Sequence, residues 1–159
     1  MPCLVRSTDD LGRCKDPDNE ILRFRDRTMG EYLYQDLTSK IIACFYKVYN
    51  TLGFGFLEKV YENALLFELT QNGLFVERQK PIKVYYEDKL VGEYFADLIV
   101  DNKIILELKA VESLIEEHEL QLINYLKATD IEIGLLLNFG KKPEIRRKIF
   151  SNTDQRKSV

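Results

Sequence analysis

The sequence lacks a long apolar run and contains little cysteine. No stretch of its 159 residues approaches the roughly 20 apolar positions that cross a membrane, and the N-terminus lacks the charged-then-apolar order of a secretory signal. Cys3, Cys14 and Cys44 are an odd number of cysteines and form no CxxC pair, which argues against a zinc site and suits a reducing compartment. We therefore expect a cytoplasmic protein without membrane contact.

The sequence is also short of net charge, and the charge that it carries is unevenly placed. Its formal net charge is −3 at pH 7. Residues 30–139 contain 18 acidic and 10 basic side chains, whereas residues 140–159 contain 7 basic and 2 acidic ones. An acidic core is a poor general binder of polyanions, so contact with nucleic acid would depend on the basic tail, on local lysines and on bound cations.

The length and the 45% hydrophobic content fit one soluble domain. Residues 1–28 are polar and have no clear hydrophobic period, so we interpret them as a disordered or weakly ordered leader. Residues 29–150 are the predicted domain, and residues 151–159 are a predicted flexible basic tail. Whether Met29 is the true start stays open.

The hydrophobic periodicity predicts an α/β domain with the element order α-α-β-β-β-β-α-β. The predicted helices cover residues 34–51, 56–71 and 114–128, and the predicted strands cover 74–80, 82–87, the two arms of a hairpin within 90–110, and 132–138. Residues 145–150 are either an extra edge strand or a short helix. We expect a central mixed sheet flanked by helices.

The hairpin within residues 90–110 brings charged side chains together. If its turn lies at residues 101–103, Asp97 on the first arm falls opposite Glu107 on the second, with Lys109 on the same face. A solvated face with cross-strand ion pairs would explain this pattern. However, Glu107 and Lys109 interrupt a strand that is apolar enough to lie inside a sheet, where a carboxylate needs a partner or a cation. Both interpretations stay open at this point.

Three further polar side chains lie on predicted helices. Glu58 is in the first turn of the second helix, where interaction with the helix dipole is its simplest role. Gln121 and Tyr125 are four residues apart on the third helix, where an ordinary surface pair is the simplest interpretation. None of these three positions indicates a function by itself.

Four segments of the sequence together resemble a known family. The segment GFLEKVY at 55–61 fits the pattern that names the GxxExxY family, and FAD at 95–97, ELK at 107–109 and HELQLINYLKAT at 118–129 resemble its remaining motifs in the right order. That family is similar to the PD-(D/E)XK nuclease superfamily. The resemblance covers roughly residues 31–150 and implies the restriction-endonuclease-like fold.

The resemblance also implies a metal-dependent site. Its residues are acidic metal ligands with catalytic neighbours, namely Asp97, Glu107 and Glu58 as ligands and Lys109, Glu58, Gln121 and Tyr125 as catalytic residues. Carboxylate oxygens suit Mg²⁺ or Mn²⁺, and such an ion can activate water and offset charge on a phosphate. Ala96 replaces the proline of the superfamily motif, at a position that shapes the strand and supplies no ligand.

The function implied by the resemblance is Mg²⁺-dependent hydrolysis of phosphodiester bonds in DNA or RNA. The alternative is a catalytically inactive module of the same fold that binds nucleic acid or a protein partner. Four charged site positions favour the nuclease, and the acidic core favours the binding module. The oligomeric state stays open, with a homodimer as one option.

Overall fold

The computed structural model of the protein describes residues 33–151. The predicted leader at 1–28 and residues 152–159 of the predicted tail lie outside the described residues, so these two predictions and the predicted domain bounds stay predictions. Within the described range, no helix combines the length and the apolar character needed to cross a bilayer.

The described chain is an α/β domain, as predicted. Its elements follow in the order α1 (Gln35–Leu52), α2 (Glu58–Gln71), β1 (Val76–Tyr86), β2 (Lys89–Val100), β3 (Ile104–Lys109), α3 (Glu116–Lys127), β4 (Ile133–Phe139) and β5 (Pro143–Ile149). The C-terminal segment, left open between strand and helix, is strand β5. The order differs from the prediction at one place, because the two strands predicted at 74–80 and 82–87 are the single strand β1.

Strand β1 continues through Pro81, where the sequence pattern had indicated a break. Pro81 stays in register with Phe95 of β2. The order of strands in the sheet is β1-β2-β3-β4-β5, so β1 is an edge strand. An edge strand leaves one row of its N–H groups outside the ladder, and a proline without an N–H can be accommodated there.

The sheet is mixed, with β3 and β4 parallel and the other neighbours antiparallel. A parallel pair needs a long crossover, and α3 supplies it between β3 and β4. The β2–β3 turn occupies the predicted residues, and Asp101 and Asn102 both adopt positive φ, near 51° and 54°. These two residue types tolerate that region better than most, which explains why the turn was readable from the sequence.

Helices cover both faces of the sheet. On one face, Phe139 of β4 packs against Phe45 of α1 and stacks on Tyr61 of α2, with ring centroids 4.6 Å and 4.4 Å away. On the other face, Leu122 of α3 lies directly over Gly134, where a Cβ would meet the Leu122 side chain at 2.6 Å. Because both faces of the sheet are covered, every residue from 104 to 108 in β3 is buried. The single carboxylate of this strand, Glu107, therefore lies where a charged group needs a partner.

Candidate functional site

The site begins where β2 and β3 part. The two strands pair at three positions only, the last being Leu98 opposite Leu106. One residue further along, the Oδ2 atom of Asp97 accepts a hydrogen bond of 2.8 Å from the Leu108 backbone N–H. The carboxylate of Asp97 therefore takes the place of a main-chain acceptor and is held in the fork between the strands.

Glu107 is the most deeply buried carboxylate of this fork, with 3% of its surface exposed. Its Oε1 atom accepts a hydrogen bond of 3.0 Å from the Lys109 ammonium group. Its Oε2 atom is also buried and has no hydrogen-bond partner among the described residues. Burial, followed by the negative charge of Asp97, raises the pKa of Glu107 to about 7, although Lys109 acts in the opposite direction.

Lys109 connects the fork to helix α3. Its Nζ atom donates to Glu107 and also to the Oε1 atom of Gln121, 3.3 Å away. The Nε2 atom of Gln121 in turn donates to the hydroxyl of Tyr125 at 2.7 Å. Burial lowers the pKa of Lys109, but the neighbouring carboxylates, Glu107 first, outweigh burial and raise it. Lys109 is therefore a protonated, oriented cation.

Glu58 reaches the same fork from the start of α2. Partial burial of its carboxylate raises its pKa, Lys109 opposes this rise, and the negative charge of Asp97 adds to it. The position of Glu58 depends on the preceding turn, since the buried hydroxyl of Tyr61 donates to the Gly53 carbonyl at 2.6 Å and accepts from the Phe56 N–H at 3.3 Å. Tyr61 therefore anchors the turn that presents Glu58.

The sequence prediction missed two residues that adjoin the fork. Glu62 is 5% exposed and accepts hydrogen bonds from Arg78 and, at 3.2 Å, from Gln79. The same Gln79 amide lies 3.5 Å from Asp97 Oδ1, and Gln79 has a positive φ of 50°. Glu62 lies four residues after Glu58, so helix periodicity could have identified it on the same face of α2. No sequence signal marks Gln79.

The structure thus gathers all of the predicted site residues at one corner of the sheet. They are Asp97, Glu107, Lys109 and Glu58 at the fork, with Gln121 and Tyr125 joined to it through Lys109. Their catalytic and metal-binding roles stay predictions.

The fork fits a divalent cation in its chemistry. No group of three or more His, Cys, Asp or Glu side chains within residues 33–151 is arranged to hold a metal ion. Mg²⁺, however, is commonly bound through one or two carboxylates, with water and substrate phosphate completing its shell. Asp97 and Glu107 provide two such carboxylates, and the buried, unpartnered Oε2 atom of Glu107 is an oxygen that a cation would satisfy.

Comparison with known proteins decides the family. A family model described as the PD-(D/E)XK nuclease superfamily matches residues 35–148. The chain belongs to this superfamily. The superfamily prediction is confirmed, whereas the narrower GxxExxY name stays a prediction.

A solved structure with a similar chain is the crystal structure of SSO0001. It is 20% identical to this PD-(D/E)XK protein, with a TM-score of 0.47, and the match covers 73% of this chain and 59% of that one. The chain therefore spans less than two thirds of the length of that relative. No curated protein matches the sequence.

Proposed function

We propose that this PD-(D/E)XK protein hydrolyses phosphodiester bonds of DNA or RNA with Mg²⁺ or Mn²⁺ held by Asp97 and Glu107. The observation that carries the proposal is the buried Oε2 atom of Glu107, which has no hydrogen-bond partner in the described chain and lies in a fork with a second carboxylate. A structural ion pair would use both oxygens or expose the unused one to water. A cation site instead leaves one carboxylate oxygen free to bind the metal ion.

The side chains around the fork suit this reaction. When bound, the metal ion supplies an activated water near neutral pH and offsets negative charge on the phosphate. Lys109 adds a fixed positive charge, since Glu107 and Gln121 hold its ammonium group from two sides. Tyr125 keeps the amide of Gln121 in the orientation that receives Lys109. Glu58 contributes a third carboxylate at the rim of the fork, either to the cation or to the water around it.

The alternative, an inactive module of the same fold, also has an observation in its favour. Although Glu58 brings a third carboxylate to the rim of the fork, no three such side chains within residues 33–151 are grouped so that they could hold a metal ion together. A domain that had lost catalysis would retain the fold and the buried ion pair between Lys109 and Glu107, and would bind nucleic acid or a protein without cutting. Cleavage assays separate the two functions.

The test is cleavage of single- and double-stranded DNA and RNA by purified protein with Mg²⁺, with Mn²⁺ and with a chelator. We expect cleavage only with metal, and a loss of at least about 100-fold in Asp97→Asn and in Lys109→Met. Glu93→Gln is the matched control, because it removes an exposed carboxylate from the same strand as Asp97.

A contaminating nuclease would cut equally in the preparations of the wild type and of all three variants. The proposal therefore requires that Glu93→Gln cleaves like the wild type while Asp97→Asn and Lys109→Met do not. Absence of cleavage by the wild type under every condition, with a normal melting curve, would overturn the nuclease proposal in favour of the binding module.

A further inference from the structure

A cavity adjoins the fork on the side of helix α3. It has a volume of about 790 Å³ and lies between α3 and the paired strands β1 and β2. Clefts that hold small organic ligands occupy roughly 300–1,000 Å³, so this one can take a group as large as a nucleotide. The side chains that matter for the argument are three tyrosines, two lysines and a glutamine, namely Tyr85, Tyr94, Tyr125, Lys83, Lys127 and Gln121.

The tyrosines give the cavity aromatic surfaces. Tyr125 is 4% exposed and forms part of the floor, and the ring of Tyr94 lies 6.0 Å from it at an angle of 45°. Tyr94 and Tyr85 are 52% and 58% exposed, so their rings have surface that the described chain does not cover. Exposed aromatic faces in a concave site are suited to stacking against a planar base, a contact that tolerates any base sequence.

The charge of the cavity differs from that of the domain. Lys83 and Lys127 line it together with one acidic residue, Glu117. The surrounding residues 30–139 carry an excess of acidic side chains, whereas the two lysines and one glutamate of the lining form a region with a formal charge of +1. Such a region attracts the phosphate groups that flank a stacked base.

The cavity is joined to the fork through one side chain. Gln121 lines the cavity, accepts a hydrogen bond from Lys109 and donates one to Tyr125. A nucleic acid strand with a phosphate at the fork would therefore place a neighbouring nucleotide beside Gln121.

We propose that this cavity binds an unpaired base next to the phosphate at the fork, so that single-stranded nucleic acid is the preferred substrate class. The inference rests on the proposed function for the phosphate at the fork. It is favoured over duplex binding because a base within a duplex is already stacked on both faces and cannot present one to Tyr85 or Tyr94.

The test compares neighbouring tyrosines of β1. Tyr85 lines the cavity, whereas Tyr86 is 70% exposed and lies outside it, so Tyr85→Ala and Tyr86→Ala are matched variants. Both are made in a Glu107→Gln background, which removes the proposed cleavage and keeps the oligonucleotide intact. Binding of a fluorescein-labelled 12-nucleotide single strand, and of the same sequence as a duplex, is measured by anisotropy.

We expect Tyr85→Ala to weaken single-strand binding about tenfold, the scale of losing one stacking aromatic, with duplex binding unchanged and Tyr86→Ala at the parent value. Tyr94→Ala is expected to behave like Tyr85→Ala, and Tyr94→Phe is expected to retain binding because the stacking ring remains. Melting curves of each variant check that the fold is intact.

Equal single-strand affinity in Tyr85→Ala and Tyr86→Ala, equal loss for duplex and single strand, or no binding of either probe would overturn the cavity proposal. Cleavage by the wild-type protein is assayed in parallel with Mg²⁺ and Mn²⁺. If the wild type cleaves nucleic acid but Tyr85→Ala and Tyr94→Ala do not weaken single-strand binding, only the cavity proposal is refuted. Tyrosine-dependent binding without cleavage refutes the nuclease function and leaves the cavity as a binding site.

Discussion

Replacing Glu107 by glutamine should stabilise the metal-free protein at neutral and alkaline pH. The pKa of Glu107 rises from its ordinary value of 4.5 to about 7 on folding. Below pH 4.5 the Glu107 carboxyl is protonated in both the folded and the unfolded protein. As the pH rises from 4.5 to about 7, the unfolded chain gives up this proton more readily than the folded protein does, so the free energy of unfolding falls. Ionised Glu107 therefore costs about 3 kcal/mol at pH 8, at 1.36 kcal/mol for each unit of pKa. Glutamine keeps an acceptor for Lys109 and removes the buried charge.

The assay is thermal unfolding in chelator between pH 4.5 and 8. We expect the wild type to lose stability across the interval from about pH 4.5 to 7, and Glu107→Gln to lose much less of it. At pH 8 the variant should melt about 10 °C higher, since each kcal/mol shifts the melting temperature of a domain of this size by several degrees. Glu93→Gln, with an exposed carboxylate on β2, should follow the wild type.

Addition of metal should narrow the difference in stability between the two proteins. Mg²⁺ or Mn²⁺ that binds only the folded wild type adds about 1.4 kcal/mol at ten times its Kd, whereas Glu107→Gln lacks the charged ligand and should not respond. The reasoning is refuted if Glu107→Gln is less stable than the wild type in chelator and metal shifts neither protein. That result would mean that Glu107 serves as the structural partner of Lys109.

Three substitutions test the supports of the site by urea unfolding. Tyr61→Phe leaves the Gly53 carbonyl without its donor and should cost about 1–3 kcal/mol; an unchanged midpoint would show that water replaces the hydroxyl. Gly140→Ala places a Cβ into the Val111 carbonyl and should cost about 1–3 kcal/mol through displaced backbone; a neutral effect would contradict the close packing there. Asn138→Leu removes the buried amide that pairs with both Val111 main-chain groups and should cost at least about 2 kcal/mol; a more stable variant would mean that the loop finds other partners.

The fold was largely predictable because most elements have a strong hydrophobic period and clear ends. Helix α1 was predicted at 34–51 and is Gln35–Leu52, and the strand predicted at 132–138 is β4, Ile133–Phe139. The error at β1 arose because Pro81 is a local signal, whereas the position of a strand at the edge of the sheet is a property of the whole topology. The sequence cannot show that property before the strand order is known.

The site was predictable in part for the same reason. Alternation along β2 and β3 placed Asp97, Glu107 and Lys109 together without knowledge of the tertiary structure. The resemblance indicated only that Gln121 belongs to the site, because its contact with Lys109 depends on how the α3 crossover packs over the sheet. The burial of the Tyr61 ring against Phe139 likewise depends on how α2 packs on the sheet.

The hydrogen bond from the Leu108 N–H to Asp97 gives the protein an internal spectroscopic reporter. Most strand amides report only on the main chain of the neighbouring strand, but this one reports on a carboxylate of the proposed metal site. Protonation of Asp97, or its coordination to a cation, makes its carboxylate a weaker hydrogen-bond acceptor. The NMR signal of the Leu108 amide proton should then move to higher field. Titration of a single backbone NMR signal can therefore follow the charge state of the fork before any substrate is known.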